Sequence, residues 1–198
     1  MKSTIALFFL AGIAAASAQH HTGHSASKTS SQVSPKQTTA QYAGEQKRSI
    51  KALSDDMIDG YRLGRGMGMA KAAELNHYPG PMHILDMKAT LKLTQEQTSQ
   101  LQAIFEAMHT EAVTNGNRLI DEEQALDDIF TNGMADSSTV QRLTARIGEL
   151  QAKIRFAHLN AHIRAQKILS KEQIALYDQE RGYTEGAAAS GKKLKHKK

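Results

Sequence analysis

Apolar residues recur at steps of three and four from Thr94 to about Thr131, and again from about Ser138 to Leu169. Leu101, Phe105, Met108, Ala112, Leu119, Leu126 and Phe130 mark one face of the first stretch. Val140, Leu143, Ile147, Leu150, Ile154, Ala157 and Ala161 form a heptad seam along the second. Asn132-Gly133 ends the first and MADSS connects it to the second. Two helices of this length joined by so short a turn fold back on each other as an antiparallel hairpin. At about 1.5 Å per residue the first arm is nearly 60 Å long. Asn115-Gly116-Asn117 interrupts it and is expected to bend or loosen it. No stretch alternates with period two, so the expected fold class is all-α with no sheet.

The hairpin is bracketed by nearly the same phrase, LKLTQEQ at residues 91–97 and KILSKEQ at 167–173. Thr94 and Ser170 fit helix N-caps, and Gln97 and Gln173 stand where a side chain reaches back to the cap N–H. Glu96 and Glu172 place negative charge near the positive end of a helix dipole. Both phrases therefore start helices, and antiparallel folding brings both starts to one end of the hairpin. Two short helices, Pro81 to Leu91 and Ser170 to Tyr183, are expected to meet there, with Pro81 at a first helical position. Ahead of them Ile50, Leu53, Met57, Ile58 and Tyr61 recur at helical spacing. Ala70 to Leu75 reads as a short helix, and Asn76 to Pro81 as a turn or loop.

Residues 1–18 read as a signal peptide: Lys2, a short apolar run from Ile5 to Ile13, and the small-residue site Ala16-Ser17-Ala18. The apolar run is too short to span a bilayer as a mature helix, and no second run follows. This implies export to the periplasm and no integral membrane segment. Residues 19–42 are rich in Ser, Thr, Gln and His and nearly lack apolar side chains, the composition of a disordered leader. Residues 43–184 form the helical domain, and 185–198 read as a disordered basic tail. The five lysines of GKKLKHKK account for the whole net charge of +5, so the high pI does not argue for nucleic acid. With no cysteine, the exported chain must be held by packing or by oligomerisation. A two-helix hairpin is too thin to bury both its faces, so it is expected to dimerise or to keep an exposed apolar surface for use.

Leu93-Thr94-Gln95-Glu96-Gln97 and Leu169-Ser170-Lys171-Glu172-Gln173, flanking a hairpin behind a signal peptide, resemble the LTxxQ-motif periplasmic proteins. That superfamily includes the Spy and CpxP stress proteins and the periplasmic heavy-metal sensors. The second copy carries Ser for Thr, which keeps the hydroxyl. The resemblance covers about Leu53 to Tyr183 and implies a cradle-shaped all-α homodimer. It implies one of three roles: an ATP-independent chaperone for unfolded clients, a heavy-metal sensor or resistance protein, or a partner of an inner-membrane sensor kinase.

For a metal, His158 and His162 share a helix face at a chelating spacing, as do His83 and Met87. Hairpin geometry puts His109 opposite roughly residue 160. Imidazole with thioether suits Zn, Cu, Ni or Co. The related sensors carry His-x3-His before His-x3-Met, and here that order is reversed. His20, His21 and His24 form a separate cluster suited to loose metal capture. Each of these histidines also reads as a packed or solvated residue with no ligand. For clients, Met57, Met67, Met69 and Met82 supply adaptable apolar contacts unless they are core. No HExxH, GxSxG or phosphate loop after a strand is present, so no enzymatic activity is expected and no cofactor is required.

Overall fold

The computed structural model describes residues 40–184. A short 3-10 turn, Glu45–Lys47, precedes six helices: α1 Asp55–Arg62, α2 Lys71–Glu74, α3 Pro81–Asp86, α4 Gln95–Thr131, α5 Ser137–Gln166 and α6 Lys171–Arg181. No strand occurs among the described residues. The 37 residues of α4 and the 30 of α5 pack against each other as the expected hairpin. Gln97 Nε2 donates to Ile168 O at 2.9 Å near one end, and Arg146 pairs with Glu122 at 3.3 Å further along. The turn is set by Asp136, whose Oδ1 accepts from the N–H groups of Ser138 and Thr139 at 2.9 and 3.0 Å. These bonds, with those of the two hydroxyls, hold its carboxyl far below the usual carboxylate range.

The helix starts behave as the repeated phrase predicts. Thr94 Oγ1 accepts from Gln97 N at 3.1 Å and Gln97 Oε1 accepts from Thr94 N at 3.0 Å. Ser170 and Gln173 repeat this at 3.2 and 2.9 Å. The two glutamines then join each other. Gln97 Nε2 donates to Gln173 Oε1 at 2.9 Å, and Gln173 Nε2 donates to Gln97 Oε1 at 3.1 Å. Gln173 Nε2 also donates to Leu91 O at 3.1 Å. Every N–H and lone pair that a buried amide must place is thereby spoken for.

Several local expectations change. The helix at Asn115-Gly116-Asn117 is unbroken, because both asparagine amides donate to the carbonyls four residues back. Gly116 serves a close crossing instead. A Cβ there would stand 2.4 Å from Tyr61 O, so the end of α1 lies directly on α4. Helix α1 begins only at Asp55, where Ser54 caps Met57 N at 3.3 Å. Ile50 and Leu53 are buried in the turns before it. Helix α3 stops at Asp86 rather than continuing to Leu91. Turns follow, with Lys92 at φ 50°, before Thr94 caps α4. Phe130, assigned to the inner face, is exposed at the tip of the hairpin.

Two small cores result. The first gathers Ile50, Leu53, Ile58 and Tyr61 against Ala112, Leu119 and Ile120 of α4 and Ile147, Leu150 and Ile154 of α5. The second gathers Ile84, Leu91, Leu101, Ala165, Leu169 and Tyr177 at the end where the glutamines meet. Along α4 the gap between the cores holds Phe105, Met108 and His109, and along α5 it holds His158 and His162.

Candidate functional site

The gap between the cores is where chemistry gathers. His158 is 4% exposed, and its Nε2 is buried with no hydrogen-bond partner. Burial, then the neighbouring His162 and His109, push its pKa below the usual histidine value, so the ring is held neutral. His109, opposite on α4, is exposed and stacks on Phe105 with ring centroids 5.8 Å apart. His83 comes from α3, with Nδ1 4.0 Å from Asp86 Oδ2. His83, His109 and His158 line one cavity of about 270 Å³, closed by Leu63, Met82, Phe105 and Met108.

His162 faces a second cavity. Its Nδ1 donates to Tyr78 O at 2.7 Å, which leaves the Nε2 lone pair of the neutral ring free. The ring lies on Gly80, where a Cβ would come within 2.9 Å of it. This cavity, about 280 Å³, is lined by Met67, Lys71, Glu74, Met82, His83, His162 and Arg181. His83 and Met82 therefore border both spaces.

Of the residues expected to bind metal, the structure brings His83, His109 and His158 to one cavity and His83 and His162 to the other. It does not bring Met87 there, since Met87 packs on the second core. The thioethers at the first cavity are those of Met82 and Met108. Among the described residues, no three His, Asp or Glu side chains stand close enough together to share one ion. His20, His21 and His24 lie outside the described residues. Of the methionines expected to meet clients, Met57, Met67 and Met82 are exposed, while Met69 is partly buried against the first core.

Glu74 is the organising residue that sequence reasoning missed. Its Oε1 accepts from the hydroxyls of Tyr177 at 2.5 Å and Tyr183 at 3.1 Å, and its Oε2 accepts from Gly80 N at 3.2 Å. Arg181 Nε lies 3.7 Å away, as does His162 Nδ1. One carboxylate thus ties α2, the turn before α3, α5 and α6 together. Burial first, and then Glu74, push the Tyr177 hydroxyl well above its usual pKa, so it stays a donor. His77 Nδ1 donates to Asp178 Oδ2 at 2.7 Å beside it, while the buried Oδ1 of Asp178 has no partner. No local signal distinguishes Glu74 from an ordinary surface glutamate, since its partners come from 6 to 109 residues away.

No helix among the described residues is long and apolar enough to cross a membrane. No curated protein and no solved structure matches the chain. The model of the LTXXQ motif family protein matches residues 80–181, just over half the chain, from the start of α3 to the end of α6. That span contains both capping boxes, the glutamine pair that joins them, and all five described residues expected to hold metal, His83, Met87, His109, His158 and His162: the chain belongs to the LTXXQ motif family.

Proposed function

We propose that this is a periplasmic envelope-stress protein of the Spy and CpxP type that binds unfolded clients without ATP and is not an enzyme. The observation that carries the reading is the exposed apolar surface on the layer in front of the hairpin. Leu63, Met67 and Met82 are 54%, 41% and 48% exposed and border two adjoining cavities. Flexible thioethers adapt to many partners. Arg65, Lys71 and Arg181 stand at the same cavities and speed encounter with acidic segments. The test is aggregation of a chemically denatured protein, followed by light scattering without nucleotide. Near-stoichiometric suppression is expected, weakened several-fold by Leu63→Ser with Met82→Ser. No suppression by the wild type sinks the reading.

The second reading, a heavy-metal-binding sensor or resistance protein, is favoured by the His83, His109 and His158 cavity and by the partnerless Nε2 of His158. A neutral imidazole with a free lone pair suits a transition metal, and two thioethers nearby bias the set toward copper. Calorimetric titration with Zn, Cu, Ni and Co in turn tests it. His83→Ala and His109→Ala are the variants, since neither residue is buried. Binding at fixed stoichiometry that either variant abolishes supports this reading. Binding that survives both places any metal elsewhere in the chain.

A further inference from the structure

Of the residues lining the cavity of about 270 Å³, Gly64, Pro81 and His158 are buried, whereas Leu63, Gly66 and Met82 are exposed. The space is a recess with its mouth at the second set. The Nδ1–Cε1 edge of the His158 ring faces Gly66. A Cβ built on Gly66 would stand 3.9 Å from both atoms and, its own chain neighbours aside, meet nothing else within 4 Å. Nε2 of the same ring is buried with no hydrogen-bond partner. Buried polar groups are ordinarily bonded, so the fold leaves this imidazole unsatisfied. The wall beside it is apolar and polarisable. Phe105 brings a ring, and Met82 and Met108 bring thioethers, which make favourable contacts with aromatic guests.

We infer that this recess binds a neutral aromatic molecule of one or two rings that carries a hydroxyl, with the rings among Phe105, Met82 and Met108 and the hydroxyl on His158. Size sets the first limit. A cavity of about 150 Å³ holds a single benzene ring, so this one takes two fused rings. Charge sets the second. Burial, then His162 and His109, hold the His158 ring neutral, so a carboxylate or an ammonium group would be stranded at the base of the recess. The hydroxyl follows from the imidazole itself. A neutral ring carries one donor and one acceptor nitrogen, and a hydroxyl both donates and accepts, so it pairs with Nδ1 in either tautomer. A carbonyl pairs with only one of them. The recess shares a wall with the metal reading, but the inference rests on neither that reading nor client holding, since it needs no ion and no polypeptide.

The chain has no tryptophan, so the fluorescence anisotropy of 2-naphthol reports its binding directly. The titration is run with a chelator present, so that no bound ion can hold the hydroxyl. Saturable binding of one 2-naphthol per chain is expected, about three- to ten-fold tighter than naphthalene for the one neutral hydrogen bond gained. His158→Phe keeps a ring and removes both nitrogens, and should erase that preference while naphthalene still binds. Gly66 has no left-handed backbone to protect, so Gly66→Ile is tolerated there. Its branched side chain cannot turn wholly away from His158, and it should weaken both probes at least ten-fold with unchanged helix content. No saturable binding overturns the inference, and so does equal affinity for the two probes. Binding indifferent to Gly66→Ile also overturns it, by placing the probe on the exposed apolar surface instead. Should His158→Phe fail to fold, the comparison of the two probes and Gly66→Ile still decide. Suppression of aggregation by the same wild-type protein is measured separately, so failure of the recess and failure of client holding are told apart.

Discussion

Single side chains carry several of the constraints. Gly116 has Tyr61 O where its Cβ would be, so Gly116→Ala must push α1 off α4. An overpacking cost of about 1–3 kcal/mol is expected in urea unfolding, although alanine is otherwise the better helix former. The Gln97 and Gln173 amides are coupled in the same sense. A double-mutant cycle to Ala should return an interaction of about 1–2 kcal/mol, because the first substitution strands the second amide. His158 sets a pH dependence. Its folded pKa lies below the usual 6.5, so between those values the unfolded chain binds the proton more readily. Stability is full above about 6.5 and falls as pH drops through that window. Glu123 acts with opposite sign, since burial raises its folded pKa above the usual 4.5 and stability is lost as pH rises past that value. Chemical denaturation of His158→Asn from pH 5 to 7.5 should therefore show a flatter or inverted slope relative to wild type.

At the scale of elements, the sequence was legible where the signal is local. Thr94 and Ser170 cap α4 and α6 as the phrases predict, and the heptad seam from Leu143 to Ala161 is buried. Misreadings came where a distant partner decides. Asn115-Gly116-Asn117 looks like a break, but the glycine answers to Tyr61, 55 positions earlier in the chain by residue number, and not to its neighbours. Met87 matches His83 at a ligand spacing, yet the short α3 ends beside it and the turn carries its side chain to the second core. Phe130 continues an apolar period past the point where the opposing arm can cover it. The candidate site was half legible. The histidines were visible, but the cavity they share needs α1 and α3 laid across the hairpin, and Glu74 has no sequence mark.

For the whole molecule, the division into two cores has dynamic content. Each core is small, and the histidine layer between them contributes little apolar area. Cooperative units tend to follow such boundaries. Native-state hydrogen exchange should therefore find α3, α6 and the start of α4 opening as one unit, separately from α1 and the middle of the hairpin. Leu101→Ala should lower protection in the first unit more than in the second. Uniform loss across the hairpin would mean that the cores act as one. The thinness expected of a two-helix hairpin persists in the folded chain, whose large side chains Leu63, Met82 and Phe156 remain open to solvent.

The paired glutamines also put a clock on assembly. Gln97 and Gln173 are 76 residues apart, and each completes the other's bonding. Chains emerge from synthesis with the N-terminus first, so α4 is made while its counterpart is still missing. Its first turn has its own capping box but no mate for the Gln97 amide until the whole hairpin has closed and α6 has arrived. The contact therefore belongs to the final step of folding. Interception of a chain truncated before Ser170 should find a formed helix α4 whose opening turn remains frayed.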